Sequence, residues 1–137
     1  MSITWKDNSV EIQGKLKDLA QSTLEEVAGE MESQVKRNTK VKTGQTKNSW
    51  RHIVTEEGET HTAVIGSGYQ NAIWEEFGTG EYALHGDGRK GGWKYEDERG
   101  DWHFTRGKKP RRPFYKAYTA LKNKLIKHMQ DVFKGAF

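Results

Sequence analysis

His61, His85, His103, Asp87 and Asp101 of this 137-residue chain have the chemistry to ligate a metal or act as a general base. Their spacing matches no known catalytic arrangement. A zinc peptidase helix needs two histidines around a glutamate in His-Glu-x-x-His order, and a hydrolase serine sits in Gly-x-Ser-x-Gly. Neither pattern occurs, and neither does a phosphate-binding P-loop. Gly86-Asp87-Gly88 has the glycines of a phosphate cradle but lacks the preceding strand and following helix that would aim its amides. With no cysteine, disulfides, thiolate metal sites and cysteine nucleophiles are also excluded. No catalytic residue, metal ligand or cofactor site is assigned, and the chain reads as a non-enzyme.

Charge is the next source of chemistry, and it is unevenly placed. Lys, Arg, Asp and Glu sum to −2 over residues 1–38, −3 over 39–104 and +9 over 105–137. The basic end opens with Arg106, Lys108, Lys109, Arg111 and Arg112, just after the aromatic residues Trp93, Tyr95, Trp102 and Phe104. Cations beside aromatic rings suit phosphates and stacked bases. However, no helix-turn-helix, zinc-finger or RNP signature is present, and the acidic middle would repel a duplex. Three readings stand for the basic end: a solvated helix face, a surface for nonspecific DNA contact, or the complement of an acidic surface on a neighbouring subunit.

The elements that must position these groups follow from periodicity. Ile12, Leu16, Leu19, Thr23, Val27, Met31 and Val35 recur at steps of three or four and predict a helix over 9–38, with Asn8 and Glu11 at capping-box spacing. Gly29 lies beside this stripe, where it would permit a close helix crossing. A loop to Gly44 leads to strands at 48–56 and 60–66, joined as a hairpin through Glu57-Gly58-Glu59. A short helix over 69–77 carries Tyr69, Ile73 and Phe77 on one side, and a glycine-rich flexible loop follows over 80–92. Trp93-Lys94-Tyr95 and Trp102-His103-Phe104 predict a second hairpin with four aromatics on one face. That face is either a satellite core or an interface. Pro113 starts the last helix, with Phe114, Ala117, Tyr118, Leu121, Leu125, Met129 and Phe133 as its stripe.

The length fits one domain, 1–137, with 80–108 inserted as loop and hairpin. The fold class is α+β: a small antiparallel sheet packed by a long N-terminal helix and a C-terminal helix, with a projecting aromatic hairpin. No run approaches the roughly 18 apolar residues of a membrane helix, and no signal peptide is evident, so a soluble domain with no membrane partner is expected.

Several motifs occur in a telling order: Thr43-Gly44 followed by Ser49, the Gly66-Ser67 step, Ala72-Ile73-Trp74-Glu75-Glu76-Phe77-Gly78-Thr79-Gly80, and Pro113-Phe114. Together they resemble the small tail-component, or head–tail joining, proteins of long-tailed bacteriophages, over about residues 9–133. The sequence departs from that pattern after the Thr-Gly turn, where Gln45 or Thr46 stands in place of a common leucine.

The resemblance implies a structural virion protein of the tail or neck, assembled in the host cytoplasm. It would form a homo-oligomeric ring that completes the tail or joins it to the head. Its partners would be other copies of itself and neighbouring neck and tail proteins, with nonspecific contact to packaged DNA. The alternatives are a tail terminator of the same region, or a basic DNA-binding module. On this reading Trp93, Tyr95, Trp102 and Phe104 are interface anchors beside Arg106. Arg111 and Arg112 would pair with Glu75, Glu76 or Glu81 of the next copy.

Overall fold

The computed structural model describes residues 9–40 and 44–136, so the expected Asn8 cap and Thr43 lie outside the described residues. Helix α1 spans Ser9–Asn38, with acidic Glu11 in its first turn and Lys36 and Arg37 in its last, each favourable to the helix dipole. Only part of the apolar stripe is covered. Thr23, Ala28, Met31 and Val35 are buried, whereas Ile12 and Leu16 near the start are exposed.

A four-residue helical turn, α2 (Gln45–Asn48), opens at Gly44, whose φ of 83° lies in the left-handed region that favours glycine. The first strand was expected from residue 48. Instead α2 occupies that stretch, and β1 runs over Trp50–Glu57, paired antiparallel with β2 (Thr60–Ser67). Trp50, His52 and Val54 face α1, and Trp50 is buried. Its indole N–H donates to Thr39 Oγ1 at 3.1 Å, and its ring stacks on Phe114 with centroids 6.1 Å apart. Gly29 sits under the His52 ring and not at a helix crossing. A Cβ there would meet His52 at 3.8 Å, an ordinary contact.

Helix α3 spans Gln70–Phe77 and is followed by a 3₁₀ turn at Gly80–Tyr82. Strands β3 (Trp93–Glu96) and β4 (Trp102–Thr105) form a second two-stranded sheet, separate from the first. Helix α4 (Pro113–Ala136) returns antiparallel along α1, with ion pairs Lys124–Glu30 at 3.2 Å and His128–Glu26 at 3.2 Å. The core is small: Met31, Val35, Trp50, Ala72, Ala117 and Leu125, ringed by Val27, Ile65, Phe114 and Leu121. Tyr118, expected within the α4 stripe, is exposed. The architecture is α+β, with α1 on the inner face of the first hairpin, α4 packed along α1 and against α3, and the second hairpin apart. No helix among the described residues is long and apolar enough to cross a membrane.

Candidate functional site

Helix α3 presents its residues in an unusual sense. Its buried side consists of Ala72, Glu75 and Glu76, while Tyr69, Ile73, Trp74 and Phe77 are exposed. Tyr69, Ile73 and Phe77 do share a side, but it is the outward one. Buried carboxylates need partners, and both are engaged, although Glu75 Oε2 is left without a hydrogen bond.

Glu76 accepts the backbone N–H of Phe114 at 2.8 Å and of Tyr115 at 3.1 Å, satisfying the free amides at the start of α4. The Arg112 guanidinium lies 3.7 Å from the same carboxylate and 4.0 Å over the Tyr115 ring. The Glu75 carboxylate receives Lys108 Nζ, and its carbonyl accepts the N–H groups of Arg111 at 2.8 Å and Arg112 at 3.2 Å. These two bonds hold Arg112 at a φ of 55°, unusual for a residue with a side chain. Arg106 lies 3.8 Å from Glu81. One of the pairings expected between copies, Arg112 with Glu76, is thus made within one chain, and Glu81 has Arg106 of its own chain beside it. Of the arginines at 111 and 112, Arg111 is the exposed one.

The glycines of the Phe77-Gly78-Thr79-Gly80 segment have a steric reason. Residues 106–108 lie directly on residues 79–81: Thr79 N–H donates to Lys108 O and Glu81 N–H to Arg106 O, each at 2.9 Å. The Lys108 N–H returns a bond to Thr79 Oγ1 at 2.9 Å. Gly78 and Gly80 have φ of 74° and 60°, and a Cβ on Gly78 would stand 2.8 Å from Lys108 O. Gly80 has no room either, being crossed by Arg106 and Gly107 on one side and Gly88 on another. The motif is thus a clasp that holds both ends of the 80–108 insertion and caps α4.

Beyond the clasp, the aromatic hairpin stands clear. β3 and β4 contact each other and no other helix or strand among the described residues. Its register pairs Trp93 with Thr105 and Tyr95 with His103, but Lys94 with Phe104 and Glu96 with Trp102. Directly paired residues share a face, so the aromatics divide two and two, and the expected single four-aromatic face does not form. The cause is parity: the turn places odd residues of both strands on one side and even residues on the other. Trp102 is 67% exposed and Phe104 59%, which makes theirs the open face. On the other face Trp93 is half-buried under Arg89, whose guanidinium lies 5.6 Å from the ring centroid, and Tyr95 tilts against His103.

Asp97 organises the hairpin turn. One oxygen accepts the N–H groups of Arg99 and Asp101, both at 2.9 Å, and the other lies 2.7 Å from His103 Nε2. The His103 bond, then the Asp101 amide, hold the Asp97 carboxyl below the usual aspartate range.

A cleft of about 920 Å³ separates this turn from α2 and α3, lined by Lys40, Lys108 and Arg111 as well as Glu75, Asp97 and Asp101. Its mixed charges do not make the mostly apolar lining usual for small ligands. Among the described residues, no group of three or more His, Asp or Glu is placed to hold a metal ion.

Two apolar surfaces flank the clasp and lie open: the Trp102–Phe104 face of the hairpin and the outer side of α3. Only the first was drawn from the sequence. The second was visible there as the Tyr69, Ile73 and Phe77 spacing beside two glutamates, without a sign of which side faces inward.

Residues 6–78, just over half of the chain, match the model of a family described as "Bacteriophage HK97-gp10, putative tail-component". The match takes in Glu75–Gly78 but stops before Thr79, the hairpin, Pro113 and Phe114. No curated protein and no solved structure matches the chain.

Proposed function

The chain belongs to the HK97-gp10-like family of bacteriophage tail components, and from that membership we propose that it is a non-enzymatic structural protein of the head–tail boundary. It completes the tail or joins it to the head by assembling as a ring of identical copies. The observation that carries this reading is the hairpin: an element clasped at its base that contacts no other helix or strand among the described residues while exposing Trp102 and Phe104. Exposed aromatics of this kind serve as interface anchors, and apolar surface left open on a lean chain is normally covered in assembly. A ring requires head-to-tail contacts between unlike surfaces, and the exposed aromatic face of the hairpin and the exposed cations of the basic end outside the clasp, such as Arg111 and Lys116, are unlike surfaces.

In this assembly Trp93, Tyr95, Trp102, Phe104 and Arg111 lie at or beside the contact. Glu75, Glu76, Glu81, Arg106 and Arg112 act from beneath it as the clasp. The ion pairs reduce the case for a DNA-binding module, because Arg106, Lys108, Arg112, Lys124 and Lys127 each have a carboxylate partner within the chain. Nonspecific contact with packaged DNA remains compatible with the other cations. Gold-labelled antibody on purified virions tests the placement. Label at the junction of head and tail is expected, and label confined to the tail tip or shaft would overturn it.

A further inference from the structure

Resting on that assembly reading, we propose that the stripe of α4 formed by Tyr115, Tyr118, Lys122 and Ile126 seats Trp102 and Phe104 of a second copy of this chain. The four residues follow at steps of three and four, so they lie along one side of the helix. All four are exposed, while Pro113, Ala117 and Leu125 on the inner side are buried.

The stripe is basic as well as apolar. Lys122 Nζ stands 5.4 Å from the Tyr118 ring centroid, and the Arg112 guanidinium lies 4.0 Å over the Tyr115 ring. Arg112 shares its charge with buried Glu76, but Lys122 has no carboxylate partner among the described residues. Asp131 is the one acid of α4, and Lys127 holds it at 2.9 Å. The α1 glutamates that reach α4, Glu30 and Glu26, pair with Lys124 and His128, which do not share the stripe.

Charge and spacing identify the occupant. On the open face of the hairpin Glu96 is the direct partner of Trp102, and Lys94 of Phe104. The turn before Trp102 adds Asp97, Glu98 and Asp101 against one cation, Arg99. These acids also line the cleft shared with Lys40 and Arg111 of their own chain, but Trp102 and Phe104 do not. Two residues apart on one strand, the two aromatic side chains leave the backbone about 7 Å apart. On α4 the steps from Tyr118 to Lys122 and from Lys122 to Ile126 each rise about 6 Å, so the two rings fit astride Lys122. That seating brings Glu96 beside Lys122. A DNA duplex would match the cations but leave Tyr115, Tyr118 and Ile126 uncovered, which favours the protein occupant. Hairpin and stripe are unlike surfaces of one chain, so each copy engages one neighbour on each side.

The absence of cysteine allows a direct test. Particles carrying both Glu96→Cys and Lys122→Cys are treated with a short bismaleimide; both positions are exposed, and the anchoring rings stay in place. A ladder of linked oligomers beyond the dimer is expected, whereas either single variant links no further than the dimer. If the particles contain the chain and the double variant forms no ladder, the seat is wrong and the assembly reading survives. If wild-type particles lack the chain, both fail.

Charge reversal in the purified chain provides a second readout. Lys122→Glu should weaken self-association about 10-fold, and adding Glu96→Lys should restore it. Unchanged association, or no recovery in the double reversal, would contradict the seat. Loss of DNA retention in Lys122→Glu with association unchanged would assign the stripe to DNA and would equally overturn the proposal.

Discussion

The Glu76 carboxylate and the Phe114 backbone N–H, 38 residues apart in sequence, meet at 2.8 Å. This bond ties the end of α3 to the start of α4 and closes the base of the insertion that carries the aromatic hairpin. A buried acid in a short helix thereby does what a serine or aspartate at the N-cap does elsewhere.

Replacing Glu76 by Ala leaves two α4 amides and the Arg112 guanidinium without their carboxylate. A loss of about 2–3 kcal/mol is expected from the charged hydrogen bonds. Urea denaturation of the purified chain measures it. A loss below about 0.5 kcal/mol would mean that water replaces the carboxylate freely.

Two glycines should respond with opposite signs. Gly80→Ala forces a Cβ into the crossing with Arg106 at a positive φ, and should cost at least about 2 kcal/mol. Gly29→Ala adds a Cβ with only an ordinary contact at His52, inside a helix, and should stabilise by up to about 1 kcal/mol. Thermal melts of the two variants read both effects.

Trp102→Ala and Trp50→Ala separate assembly from folding. The first removes an exposed ring on a hairpin that contacts no other helix or strand among the described residues, so the melting temperature of the isolated chain should stay within about 2 °C. The second removes the stacked, buried ring over Phe114 and should cost about 3–5 kcal/mol. A large drop for Trp102→Ala would show that the hairpin supports the chain's own stability.

The hairpin turn should depend on acid in one direction. Because Asp97 has a lowered pKa when folded, its contribution is complete above the ordinary aspartate value of about 3.9. It is lost as pH falls further, through the folded value. Hydrogen exchange or amide chemical shifts of Arg99 and Asp101 follow this directly. Asp97→Asn should loosen both amides at neutral pH.

Arg111→Glu reverses an exposed charge in the cleft between α3 and the hairpin turn without breaking an ion pair of the clasp. The folded chain should keep its stability and lose self-association, read by sedimentation. The same reversal at Arg112 removes the Glu76 partner, so it should lower stability as well.

The helices and the first hairpin were legible in sequence because periodicity and turn residues act locally. The 9–38 stripe and Glu57-Gly58-Glu59 placed them to within a residue or two. The clasp was not legible. Glu75 and Glu76 read as surface charge until chain segments more than 30 residues away were laid over them. The division of the second hairpin's aromatics was hidden for a related reason. Trp93 and Trp102 each alternate correctly within their own strand, but the turn between them decides whether their faces coincide.

The central claim is that this chain completes or joins the tail at the head. Electron microscopy of lysates from a phage carrying a stop codon in this gene tests it most directly. Filled heads and unattached tails are the predicted result, with normal-length tails indicating joining and abnormally long tails a terminator in the same ring position. Intact, infectious particles would contradict the account.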